Sequence, residues 1–169
     1  MSHPRDSARA RVYSTERMIA RLFDQPSTTL QLAGATVTLP PEARFGSIDS
    51  VREYVERVVT MPVVRERFSR SRVPVAVRSR RGAGEAHYEF SRAPGSDRVP
   101  TIAIPEAREG RWALRELVVL HEIAHHLDDS GGPAHGPHFV QTLIDLVEVV
   151  IGPEAAFVYR VLFGDAGLL

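Results

Sequence analysis

The chain has 169 residues, 43% of them hydrophobic and 25% charged, and its 21 basic and 21 acidic side chains give a formal net charge of zero. That length supports one domain with its own core, and the neutral balance gives no general electrostatic reason to expect nucleic acid or an anionic membrane as partner. Cysteine is absent, which removes disulfides and thiolate metal sites and leaves histidine and carboxylate to hold any zinc.

Read in chain order, the first segment, Met1–Asp6, lacks the apolar core of a signal peptide. No apolar run approaches the roughly 18 residues of a membrane span, so a cytoplasmic location is the expectation and residues 1–6 are expected to be flexible. Ser7 to Asp24 reads as a helix, with Val12, Ile19, Leu22 and Phe23 among its apolar positions. Leu30–Leu32 and Thr36–Leu39 flank Ala33-Gly34-Ala35 and suggest a hairpin. Pro40-Pro41 breaks that pattern. Ser50-Val51-Arg52-Glu53 fits a capping box for a helix through Val59, and Pro62 opens a short helix to about Phe68.

Residues 74–79 and 86–90 read as a second hairpin, and Thr101–Ile104 as a short strand closed by Pro105. Between 65 and 92 there are eight arginines against three glutamates. This locally basic stretch is read as solvated hairpin surface, with an acidic or nucleic-acid partner as the competing interpretation. Every basic residue in the chain is arginine, a compositional bias without functional content. A helix follows from about Arg111 to Asp128, then a glycine-rich loop, a helix starting near Pro137, and a last helix from Glu154 to Phe163. With no repeats and no clear linker, one α+β domain over 1–169 is the simplest account.

The chemistry sits in the helix after strand 101–104: His121-Glu122-Ile123-Ala124-His125. Residues four apart share a helix face, with Cβ atoms roughly 5–6 Å apart, so two imidazoles can reach one Zn²⁺ at about 2.0–2.1 Å. Glu122 lies about 100° further round, beside such a metal, where a carboxylate can take a proton from water. Leu114, Leu117, Val118 and Ala124 share the side of His121, while Trp112, Val119, Leu120, Ile123 and Leu127 cover most of the other. A helix apolar nearly all round is buried, and histidines with a glutamate there need partners. Core histidines bonded to backbone are the bland alternative. Five of the seven histidines fall between 121 and 138.

A third ligand from beyond the helix would leave one tetrahedral position open, the mark of a catalytic zinc site. His135 and His138 both qualify by position. Pro137 reads as the first turn of the next helix, whose stripe of Val140, Leu143, Ile144, Val147 and Ile151 turns His138 towards solvent. His135 lies in the turn before it and is preferred. Asp128 and Asp129 read as outer partners or solvated helix-end charges. His126 points away from the pair, as a substrate contact or as a hydrogen-bonded structural histidine. Tyr159, His126 and Arg115 are candidate donors to a developing oxyanion.

The segment Val118–Leu127 resembles the zincin metallopeptidases, and His135-Gly136-Pro137-His138-Phe139 resembles the His-Gly-x-x-Phe segment of their SprT-like branch. The resemblance implies a minimal zincin-like fold, a small mixed sheet packed on the buried motif helix with helices flanking it. It also implies ligand roles for His121, His125 and His135 and a general-base role for Glu122. Together with Arg5–Tyr13, Val75–Arg81 and Trp112–Leu120, the chain is similar to a small family of actinobacterial metallohydrolases of unassigned substrate. Metzincins would need Gly at 128 and His at 131, where this chain has Asp128 and Gly131. Peptide deformylases use a cysteine ligand, absent here. The nucleic-acid-binding modules of SprT-like proteases are not visible, so their DNA-repair role does not carry over.

These readings converge on a hydrolase with one Zn²⁺, a peptide or protein substrate, and neither membrane nor nucleic acid as partner. A catalytically silent, zinc-stabilised interaction module and a hydrolase of non-peptide amides are the alternatives. Strand 101–104 is expected either to border the cleft and pair with an extended substrate, as its place before the motif helix implies by resemblance, or to be internal.

Overall fold

The computed structural model describes residues 6–82, 84–90, 97–105 and 114–169. The fold is α+β, with six α-helices and five strands among those residues. The chain divides into two compact units, Met1–Glu42 with Ser130–Leu169, and Ala43–Asp129. No helix among the described residues is long and apolar enough to cross a membrane.

In the first unit, α1 (Arg9–Phe23) buries Val12 and Ile19. It is tied to the chain end by Arg11, whose Nη1 donates to the carbonyls of Ala166 and Gly167 at 3.3 and 3.5 Å. Strands β1 (Thr29–Leu32) and β2 (Ala35–Thr38) pair antiparallel around Ala33-Gly34. Both turn residues have positive φ, 49° and 78°, as a two-residue type I′ connection requires. Helix α5 (Pro137–Val150) buries Phe139, Val140, Leu143, Ile144, Leu146 and Val147. Gly152, at φ 142°, makes the sharp change of direction before Pro153 starts α6 (Pro153–Asp165), which packs against α5 and α1.

The second unit begins with α2 (Ile48–Thr60). Its cap lies one turn earlier than the Ser50-to-Glu53 pattern suggests. The Ser47 side chain accepts from the Ser50 N–H at 3.2 Å, and Asp49 adds a carboxylate to the first turn, where the helix dipole favours it. Helix α3 (Pro62–Arg67) follows, then a 3-10 turn over Ser69–Arg72 that the sequence pattern did not indicate.

The expected hairpin between 74–79 and 86–90 does not form. Strands β3 (Ala76–Arg80) and β4 (His87–Glu89) are separated by β5 (Thr101–Pro105), in the order β3-β5-β4. β5 runs parallel to β3 and antiparallel to β4, so the sheet is mixed. The reason is burial: Ile102, Ala103 and Ile104 are fully buried, and the most apolar strand takes the centre, leaving the more polar β3 and β4 at the margins. β5 therefore has strands on both sides and is the internal strand of the two alternatives.

Helix α4 (Glu116–Leu127) closes the unit. Of the expected range from Arg111, residues 111–113 lie outside those described, as does Trp112 on the helical wheel. Arg115 is extended, at φ −117° and ψ 147°, and bridges Arg44, so the helix begins at Glu116. Val119, Leu120, Ile123 and Ala124 are fully buried, in keeping with its apolar circumference.

Candidate metal centre

The start of α4 is fixed by a buried carboxylate. Glu116 Oε2 accepts from the Ala43 N–H at 2.8 Å and Oε1 from the Tyr54 hydroxyl at 2.5 Å. The Glu116 N–H donates to the Ala43 carbonyl at 3.0 Å, and Phe45 N–H to the Leu114 carbonyl at 2.8 Å. Each oxygen of Glu116 thus has a donor, and the first turn of the helix is pinned to α2 and to residues 43–45.

One turn and a half further along, His121 and His125 project from the same face. Their Nε2 atoms stand 3.0 Å apart and their ring planes meet at 77°. Two ligands at about 2.0–2.1 Å from a tetrahedral Zn²⁺ are roughly 3.3 Å from one another, so the pair is close to the separation a shared ion needs. His121 and Glu122 are buried, at 3% and 2% exposure, and His125 is half-buried.

The same end of α4 carries a network around His126, the hydrogen-bonded structural histidine of the two readings, whose partners Arg70, Val73 and Tyr88 sequence reasoning missed. His126 is wholly buried. Its Nε2–H donates to the Val73 carbonyl at 3.0 Å, so Nδ1 is free to accept from the Tyr88 hydroxyl at 3.1 Å. Burial, with the Arg70 charge nearby, pushes the His126 imidazole down to about 4, against the opposing pull of the Val73 hydrogen bond. Arg70 donates through Nε to the His126 carbonyl at 2.7 Å and through Nη2 to the Tyr88 oxygen at 3.4 Å. The Tyr88 ring lies parallel to that of His125, 9° between planes at 6.4 Å. His126 is therefore a neutral hydrogen-bonded histidine whose two nitrogens both serve the packing of α4, and Tyr88 backs the ring of His125. A tyrosine between His87 and Glu89 in a strand gives no local hint of this.

His135 is 5% exposed. Its ring sits between Tyr13 and Phe139, at centroid distances of 5.3 and 5.2 Å. Asp6 Oδ2 stands 2.6 Å from its Nδ1. A carboxylate only accepts, so Nδ1 carries the hydrogen, and in the neutral ring Nε2 then presents a lone pair, the usual arrangement of a ligating imidazole with an acidic partner behind it. Asp6 belongs to the segment expected to be flexible; residues 1–5 of that segment lie outside those described. The outer-partner role considered for Asp128 and Asp129 is thus filled here by Asp6, which is 129 positions from His135 and has no local signature.

Taken together, one ligand atom from each of His121, His125 and His135 lies within 4.8 Å of the others. No other histidine and neither aspartate joins that group among the described residues. His138 is exposed on α5, Asp129 accepts from the Ser69 hydroxyl at 2.9 Å, and Asp128 caps the end of α4. Arg115 is at the other end of that helix, six residues before His121. Tyr159 is buried in α6, 5.8 Å from the ring of Phe163. Comparison of the chain with family models, with curated proteins and with solved structures finds no match.

Proposed function

We propose that the protein is a zinc-dependent hydrolase, and that its reaction is cleavage of a peptide bond in a peptide or protein substrate in the cytoplasm. The observation that carries the reading is the clustering of the three imidazole nitrogens of His121, His125 and His135. The donor set fits the ion: three imidazoles, one of them oriented by a carboxylate, would leave a tetrahedral position for solvent. A bound Zn²⁺ would bring the pKa of a coordinated water to about 7 and polarise a substrate carbonyl.

The chain's own groups do the rest. His121 and His125 hold their separation because α4 is anchored at its first turn by Glu116 and at its last by His126. Glu122, one position after the first ligand and 2% exposed, accepts the proton of the attacking water and delivers it to the leaving amine. Retention of this carboxylate, which is not needed for three-ligand binding, supports catalysis over a purely structural ion.

The test is Glu122→Gln. The variant is expected to retain one equivalent of zinc and to lose at least about 100-fold in hydrolysis, scored by mass spectrometry on a diverse peptide library. Full hydrolysis by the zinc-loaded variant would overturn the general-base role, and a wild-type protein that holds no transition metal would overturn the whole reading.

A further inference from the structure

A separate feature lies wholly within Ala43–Asp129. Strand β3 stands at one side of its sheet, and its ladder to β5 uses Ala76, whose N–H donates to the Pro100 carbonyl at 2.8 Å. Backbone groups alternate along a strand, so those of Val77 and Ser79 point away from β5. Among the described residues no strand pairs with that outer edge. Two guanidinium groups meet it instead: Arg52 Nη2 donates to the Val77 carbonyl at 3.4 Å and Arg78 Nη1 to the Ser79 carbonyl at 3.1 Å.

Beside the edge is a cavity of about 420 Å³ between α2 and residues 71–77. Its floor is apolar and buried, formed by Val55, Val59 and Val77, while its walls carry Arg52, Arg65 and Arg72 against one carboxylate, Glu56. Arg52 is paired with Asp49. Arg65 and Arg72 are exposed and have no ion pair among the described residues.

We propose that this cleft is a docking site for an extended acidic peptide segment of a partner protein, added to the outer edge of β3 with its carboxylates on Arg65 and Arg72. Charge complementarity selects the occupant. Arginines along an edge repel a basic strand, including a second copy of this one, and lose solvation without compensation beside a neutral one. The same guanidinium forks match carboxylates bidentately. The N–H groups of Val77 and Ser79 supply backbone pairing, and the valine floor takes alternate side chains. A nucleic-acid backbone fits less well, because a chain of zero net charge lacks the broad positive field that polyphosphates require. None of these residues belongs to the histidine cluster, so the inference stands apart from the metal chemistry.

The probe is a fluorescein-labelled ten-residue peptide of alternating glutamate and valine, titrated into the full chain and followed by anisotropy. Its lysine counterpart and a ten-nucleotide single-stranded DNA serve as controls. Saturable binding of the glutamate peptide alone is expected, weakened at least tenfold by Arg65→Glu combined with Arg72→Glu, with the melting temperature unchanged because both side chains are exposed. Amide hydrogen exchange at Val77 and Ser79 in the wild-type chain is expected to slow on binding, and this arm decides the matter even if the variant is destabilised. The proposal fails if no saturable binding occurs, if the DNA binds as tightly, if charge reversal leaves the affinity intact, or if exchange at those two amides is unaltered.

Discussion

Asp6 and His135 are 129 positions apart in the chain, yet the Asp6 carboxylate stands 2.6 Å from His135 Nδ1. That one contact sets the tautomer of the imidazole and the direction of its free lone pair. Asp6→Asn removes the charge and allows the amide to present a donor to Nδ1–H. Zinc affinity is expected to fall by about tenfold or more, measured by competition with a chromogenic chelator. An unchanged affinity would mean that His135 is oriented by Tyr13 and Phe139 alone.

His135 and His138 give a paired comparison. His135→Ala is expected to abolish stoichiometric zinc binding, whereas His138→Ala, at an exposed position on α5, should leave both zinc content and melting temperature as in the wild type. Metal analysis of the two purified variants decides it, and loss of zinc from His138→Ala would reverse the ligand assignment.

The anchoring of α4 can be probed without touching a ligand. Tyr54→Phe deprives Glu116 Oε1 of its donor in a buried setting, where a hydrogen bond to a charged group contributes about 2 kcal/mol. For a chain of this size that corresponds to a fall of roughly 5 °C in Tm. A calorimetric Tm within about 1 °C of wild type would show that the Ala43 contact suffices.

What could be read from the sequence follows how local the governing physics is. The motif pair His121 and His125 was legible because four residues on a helix define a face, and α1 and α5 were legible because their apolar periodicity is also local. The β1–β2 hairpin was legible from Ala33-Gly34. Strand pairing beyond a tight turn was not. Residues 74–79 and 86–90 are neighbours in sequence, but β5 separates them, since the competition for the sheet centre depends on burial that no short window contains. The cap at Ser47 in place of Ser50 was a choice between two equally suitable serines. Asp6, Tyr88 and Glu116 are single polar residues whose partners lie 129, 38 and 62 positions away, and nothing beside them in the chain marks them.

The turn of the β1–β2 hairpin offers a gain of stability. Ala33 holds φ 49°, a region that costs an L-residue other than Asn or Asp about 1 kcal/mol. Ala33→Asn produces the Asn-Gly pair preferred in this turn and is expected to stabilise by about 0.5–1 kcal/mol, read as a higher urea midpoint at constant m-value. A lower midpoint would mean that the alanine methyl makes a contact worth more than the strain.

Because Glu116 clamps one end of α4 and the His126 network the other, the spacing between the two helical imidazoles is an outcome of folding and not of ligation. A metal-free preparation should therefore keep α4 folded. Cations of similar size but different preferred geometry would then meet a ready-made bite, and discrimination among them would rest on how well each tolerates that spacing.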